Sequence, residues 1–388
     1  MSLRVQLRRD AGKVRPETGP WIRRRQIGHL WGSPHIPAMA EILDDRGHTL
    51  GWGLYSPHSE IAVRMLSFGS HPYDQPNENW LEDRIRQALQ AREILKLKDQ
   101  PTTAYREINS EGDGLPGLIV DRYGNDRVVQ ITTAFMAEHK ATIAGYLEHP
   151  GRCWITSPVH AAKREGFTPL VDESNPDLRL EFVEHGLRFH VLPPPSQKTG
   201  AYLDQRENRH LIARLAAKHG GRLLDVGCFA GGFAIHAAAL GVRAIGLDQS
   251  EKALQLAAGN ARLNNLQDRC DWIVDDMFKP NVAIPGLFGT VIIDPPALSP
   301  NKRTTDRAQE AFQRCIRHFS AMVEEHGFLV LCSCSHHFGH EQLERALLGA
   351  TNRPWTRIYT LGPGPDHPIT PGHDQGEYLR VHIYQRRG

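Results

Sequence analysis

Three observations predict an α/β protein built on a doubly wound C-terminal sheet. Strand-length apolar runs alternate with helical patterns from residue 222 onward, a glycine-rich turn joins the first such strand to its helix, and two late β runs follow without a long helix between them. The strands fall at 222–226, 244–247, 272–274, 290–293 and 328–332, with helices at 233–240, 251–263 and 306–325. The late runs, near 357–360 and 378–384, make the parallel sheet end in an antiparallel pair.

Two regions precede this sheet. Up to about residue 70, short β-like runs at 40–43, 52–55 and 61–66 are separated by Asp45-Arg46-Gly47 and Ser56-Pro57, which predicts a small β-barrel or sandwich. A linker is expected at 71–77. The second region opens with an amphipathic helix at 80–97, carrying Leu81, Ile85, Ala88, Leu89, Ile94 and Leu95 near helical spacing. Strands at 104–108, 117–121 and 128–132, a helix at 138–147 and a strand at 153–156 make it an α+β unit. An alternating hairpin at 178–192 turns at Glu184-His185-Gly186, and Pro193-Pro194-Pro195 closes it. The expected division is therefore 1–73, 74–192 and 193–388.

Composition excludes whole classes. At 40% hydrophobic and 23% charged residues, with mean hydropathy −0.44, there is enough apolar surface for real cores. No run approaches the roughly 20 apolar residues of a membrane-spanning helix. The start, Met1-Ser2-Leu3-Arg4, shows no apolar leader, and six cysteines at irregular positions do not form a disulfide framework, so a reducing cytoplasm is expected. Net charge is only +2, yet the first 28 residues hold eight basic residues against Asp10 and Glu17. That stretch reads either as a phosphate-binding surface or as a solvated arm.

The strongest chemical signal is Asp225-Val226-Gly227-Cys228-Phe229-Ala230-Gly231-Gly232-Phe233, at the first strand-to-helix junction. Glycines there let a ligand approach the backbone, and the helix N-terminus adds its dipole. Phe229 stands where a dinucleotide fingerprint needs its second glycine, which makes a NAD-dependent dehydrogenase the poorest fit. Asp248, at the end of the next strand, suits a carboxylate accepting both hydroxyls of a ribose. The bland alternative is a glycine-rich turn with no ligand. The pattern resembles motif I of the class I S-adenosylmethionine (SAM) methyltransferases. That resemblance places Asp225, Gly227, Phe229 and Gly231 at the cofactor, Asp276 of Asp275-Asp276 near the adenine, and Asp294-Pro295-Pro296-Ala297 at the methyl acceptor. Enzymes that methylate exocyclic amino groups normally follow Pro-Pro with an aromatic residue; Ala297 counts against that chemistry.

Leu331-Cys332-Ser333-Cys334-Ser335-His336-His337 ends the fifth strand. C5 of cytosine is too weak a nucleophile to attack a sulfonium methyl, but a thiolate adding at C6 makes the ring an enamine that can. A cysteine at the pocket lip meets that need. Two other readings stand beside it: a zinc site made with His336, His337 and His340, for which C-x-C is tighter than usual, and a merely buried small residue.

Gln197-Lys198-Thr199-Gly200-Ala201-Tyr202-Leu203-Asp204-Gln205-Arg206 resembles the H-K-T-G-x-Y-L-D-Q-R signature of the bacterial large-subunit ribosomal RNA methyltransferase I family, enzymes that form 5-methylcytosine in 23S rRNA. Glu111 to Asn125 is similar to that family's central signature, and D-P-P, S-C-S and Asp366-His367-Pro368 follow in family order. The resemblance implies an N-terminal PUA-like RNA-binding domain, a central α+β domain and a C-terminal Rossmann-like SAM domain. It implies Cys334 as nucleophile with Asp294 on the base, and Tyr202, Gln205 and Arg206 with the cofactor residues. It also implies SAM as cofactor, ribosomal RNA as partner, and a homodimer of the kind found among similar proteins. The chain departs from the family at Ala297, where lysine is frequent, and at Ser157-Pro158-Val159-His160. It has no cysteine in the Asp294 motif to help product release. The competing functions are an RNA N-methyltransferase acting on guanine or adenine, and a non-catalytic PUA-type ribosome-assembly factor.

Overall fold

The structure, a computed structural model, describes residues 3–69, 75–97, 101–147, 151–171, 179–192, 200–279, 282, 284–297, 305–336 and 338–388. Pro193-Pro194-Pro195, Gln197-Lys198-Thr199, His337 and most of the expected linker fall outside these residues. The chain divides into two compact units. One comprises Met1–Leu180, Leu192–Ala201 and Pro365–Gly376; the other comprises Glu181–Val191, Tyr202–Gly364 and Glu377–Gly388.

The first unit opens with β1 (Leu3–Leu7), β2 (Trp21–Arg23), β3 (Ile27–Trp31), β4 (Ala38–Leu43), β5 (Thr49–Tyr55) and β6 (Ile61–Phe68), in one sheet of order β2-β6-β5-β4-β1-β3. Only β4, β5 and β6 were expected. The basic stretch is not a solvated arm: Leu3, Val5 and Leu7 alternate into the core while Arg4 points outward to Glu41 at 2.7 Å. Arg24 is also built in, donating to the backbone oxygens of Ser56 and Ser59 and to the Tyr55 hydroxyl.

Next come α1 (Trp80–Ile94), β7 (Ala104–Asn109), β8 (Leu118–Tyr123), β9 (Asp126–Ile131), α2 (Ala134–Glu138), α3 (Lys140–Tyr146), β10 (Cys153–Thr156) and α4 (Val159–Glu165). The strands form a sheet of order β10-β9-β8-β7, and Trp80, Leu81, Ile85 and Ala88 of α1 share a core with Val120, Val129 and Ile131. The helix expected at 138–147 is instead two, broken at His139, whose ring is tied to the Phe135 carbonyl at 2.8 Å. The 365–376 segment is bound here by buried polar groups. Asp366 accepts from the Arg106 amide at 2.9 Å, and Arg92 bridges Asp113 (2.6 Å) and the Asp366 carbonyl (3.1 Å).

The second unit contains the hairpin β11 (Leu180–Glu184) and β12 (Leu187–Val191), then α5 (Arg206–His219), β13 (Leu223–Val226), α6 (Gly232–Ala239), β14 (Ala244–Asp248), α7 (Glu251–Leu263), β15 (Cys270–Val274) and β16 (Phe288–Ile293). It ends with α8 (Thr305–Ser320), β17 (Val323–Ser333), α9 (His340–Ala350), β18 (Trp355–Leu361) and β19 (Arg380–Arg386). The seven strands run β15-β14-β13-β16-β17-β19-β18, parallel as far as β17 and antiparallel thereafter. Chain order reverses between β13 and β16, the switch point where open α/β sheets place ligands. Residues 181–191, grouped with the central region from the sequence, belong to this unit instead. Glu184 pairs bidentately with Arg209 at 2.6 Å, and Asn260 of α7 and Asn264 just past its end accept the amides of His190 (2.8 Å) and Arg188 (2.9 Å).

Candidate active site

The parallel strands end level with one another. Val226 lies beside Leu247 on one side and Ile293 on the other, and Ile293 lies beside Leu331. The segments that follow β13, β14, β16 and β17 therefore meet at one edge of the sheet. Gly227 and Gly231 adopt φ of 85° and 79°, and Phe229 joins them at 47°. A Cβ on Gly231 would lie 2.5 Å from the Trp272 ring, so the turn has no room for side chains at its glycines.

Asp248 organises this turn. One carboxylate oxygen accepts the Phe229 amide and the other the Ser250 amide, both at 2.9 Å. Each oxygen keeps a lone pair for a further donor. A cleft opens beside it, lined by Gly227, Asp248, Asp275, Asp276, Phe278 and Pro296 among others. Asp276 caps the following turn through the Phe278 amide at 2.9 Å, while Asp275 turns to Lys279 at 3.2 Å. Asp225 lies beneath the turn with no exposed surface, accepting the Ala234 amide at 3.2 Å and leaving Oδ1 without a hydrogen bond. Burial, reinforced by the charges of Asp294 and Asp248, pushes its carboxyl up to about 8.

The other half of the edge is built from β16, β17 and the approach to α5. Asp294 holds its backbone amide on the Val226 carbonyl at 2.9 Å and faces the buried Gln205, whose amide nitrogen lies 3.5 Å from its carboxylate. Gln205 is held by Asn208, which donates to it at 2.7 Å and to the Gly362 carbonyl at 3.1 Å. Sequence reasoning overlooked Asn208, although its spacing of three from Gln205 puts the two on one helical face. Tyr202 packs edge-on against Phe229, centroids 5.3 Å apart. Burial raises its phenol above the ordinary range, and the charges of Asp294, Cys334, Asp204 and Asp248 add to that. One hydroxyl thus lies within the field of three carboxylates and the thiol. Arg206 is fully buried, donates to Glu207 at 2.9 Å, and helps Arg209 hold Glu184 below its ordinary range against the opposing effect of burial.

The two cysteines of β17's end differ in surroundings. Cys332 has no exposed surface and packs with Ile292, Val330 and Val381; burial, then the Asp294 charge, drives its thiol well above the ordinary value. Cys334 is part-exposed. The turn beyond it is set by Ser333, whose hydroxyl donates to the Phe338 carbonyl at 2.9 Å. Among the described residues no group of three or more His, Cys, Asp or Glu side chains is placed to hold a metal ion.

A doubly wound sheet with a glycine turn after its first strand and acids ending the second and third is the SAM-binding half of a class I methyltransferase. Residues 170–357 match the S-adenosylmethionine-dependent methyltransferase family model, and residues 5–68 match a PUA-like domain. The side chains suit the cofactor: Asp248 has free lone pairs for ribose hydroxyls, and Gly227 leaves the cleft floor bare. The methyl donor is SAM. The chain is 30% identical to ribosomal RNA large subunit methyltransferase I of Shewanella frigidimarina and 31% identical to that of Alteromonas mediterranea, each over 98% of both chains. It belongs to that family. A SAM-dependent methyltransferase from Streptococcus mutans shares the fold, with a TM-score of 0.76 at 17% identity over 99% of this chain and 100% of that one.

Proposed function

We propose that this protein methylates C5 of a cytidine in large-subunit ribosomal RNA, using Cys334 as nucleophile. The relatives' names point to the RNA, and the PUA-like region supplies a module to capture it. The observation that carries the chemistry is the contrast within β17's end: a part-exposed thiol at Cys334 in the same field as Asp294, above a sealed one at Cys332.

The target base is flipped out of its strand into the site. The Cys334 thiolate adds to C6, forming a C6–S bond, and the displaced electron pair makes C5 nucleophilic. Asp294, oriented by Gln205 and Asn208, hydrogen-bonds the polar edge of the base. When bound, SAM supplies an electrophilic methyl on sulfur. After C5 is methylated its proton is lost to solvent, the C5–C6 double bond re-forms and the C6–S bond breaks, which returns the thiolate. Asp248 holds the cofactor ribose, and Asp276 faces the same cleft. A ribosomal RNA substrate places this work in the cytoplasm.

Nucleoside mass spectrometry of ribosomal RNA from cells with and without the protein tests the reading. The expected result is loss of one 5-methylcytosine from large-subunit RNA. An unchanged 5-methylcytosine content with loss of a methylated purine would replace it with N-methylation.

A further inference from the structure

The outer face of the first sheet carries a feature that its own stability does not require. Trp31 is 40% exposed on β3, the terminal strand of the sheet order, and His29 on the same strand contacts it edge-on with centroids 4.4 Å apart. The β1–β3 register sets Arg4 opposite Trp31 and Gln6 opposite His29. Residues two apart in a strand share a face, so Arg4 and Gln6 look outward with the two rings, and Arg8 follows just past the end of β1, beyond a register shift after Gln6. Leu3, Val5 and Leu7 take the opposite, buried face.

The two arginines differ. Arg4 is committed to Glu41 at 2.7 Å. Arg8 is exposed, lies against Gly28, and among the described residues forms no ion pair with a carboxylate. Gly28 matters here because a side chain would crowd the Arg8 stem, its Cβ falling 3.3 Å from the Arg8 Cγ. An exposed indole buttressed by an imidazole, on a strand pair that carries an exposed guanidinium at its other end beside Gly28, offers one flat apolar surface and one phosphate donor. A base in a single strand needs both, whereas a paired base hides its faces in the stack.

We propose that Trp31, steadied by His29, is a stacking platform for one unpaired base of single-stranded RNA, with Arg8 on an adjoining phosphate. The proposal rests on the reading of this chain as an RNA-acting enzyme and adds a site outside the methyltransferase unit. A protein strand pairing with the open edge of β3 would use backbone groups and be indifferent to the rings.

The test measures binding of the full chain to a 12-nucleotide unstructured RNA and to the same sequence as a duplex, across salt concentrations. Trp31→Ala should weaken single-strand binding about tenfold while leaving duplex binding within twofold, and Trp31→Phe should restore most of the loss. Arg8→Gln should lower the salt slope by about one for the single strand. SAM affinity by calorimetry should match wild type in every variant, which shows the chain still folded. Unchanged single-strand affinity in Trp31→Ala, an equal loss on duplex, or a Phe variant no better than Ala each overturns the platform. A product other than 5-methylcytosine would overturn the catalytic reading while leaving these affinities untouched.

Discussion

Gly227 and Asp294 approach so closely that a Cβ on the glycine would fall 2.2 Å from the aspartate's carbonyl oxygen. The glycine turn after β13 and the turn after β16 are thus in backbone contact. With φ at 85°, Gly227→Ala adds strain to the clash, and the only relief is to move Asp294. That variant should lose about 1–3 kcal/mol of stability and should lower SAM affinity and turnover together. Thermal unfolding and calorimetry read both; an alanine protein with wild-type values in each would show that the close approach is dispensable.

Asp248→Ala should weaken SAM binding by about 1–3 kcal/mol, the cost of leaving polar groups unpaired. It also strips the acceptors of the Phe229 and Ser250 amides, so some stability is lost with it. Calorimetry with unchanged SAM affinity would remove Asp248 from the ribose.

With 5-fluorocytosine at the target position, the fluorine cannot leave as a proton does, and the C6–S adduct should persist on a denaturing gel. Cys334→Ala should abolish both adduct and methylation. Cys332→Ala should keep both and cost stability, because Cys332 fills a sealed core position. Methylation at the wild-type rate by Cys334→Ala would end the covalent mechanism.

Gln205→Ala should lower kcat while leaving SAM affinity near wild type, since its partners are Asp294 and Asn208. Comparable losses in both would return Gln205 to the cofactor.

Asp225 offers a pH test. Its folded pKa of about 8 is above the ordinary carboxylate value of 3.8, so the native state holds the proton more tightly than the unfolded chain does. This contribution to stability is complete below about pH 4 and is lost as pH rises through about 8, at up to roughly 1.4 kcal/mol per pH unit. Asp225→Asn keeps a neutral acceptor for the Ala234 amide and should flatten that decline. Parallel denaturant titrations of wild type and variant from pH 4 to 8 would reveal an unvarying difference if Asp225 were ionised throughout.

The parallel sheet and its antiparallel end were legible because buried strands read as apolar runs and the helices between them are amphipathic. The glycine turn and its following acid were legible as chemistry for the same reason they work: few residues tolerate those angles. β1 was not. Leu3, Val5 and Leu7 do alternate, but Arg4 between them and Arg8-Arg9 behind them give the stretch a charged pattern that masks the pleat. Asn208 was legible only in part: its spacing from Gln205 can be read, but its second partner, Gly362, lies more than 150 positions away. The resemblance singles out Cys334 over Cys332, and burial adds a physical difference between them that the sequence does not carry.

The chain cannot be cut into its two units at any single peptide bond. Glu181–Val191 and Pro365–Gly376 each belong to a unit that the neighbouring sequence leaves. A fragment starting at residue 193 would surrender Glu184, stranding Arg209 without its buried carboxylate, and would retain a 365–376 segment parted from Arg92 and Arg106. Fusing or exchanging either unit by itself therefore meets a penalty at its border.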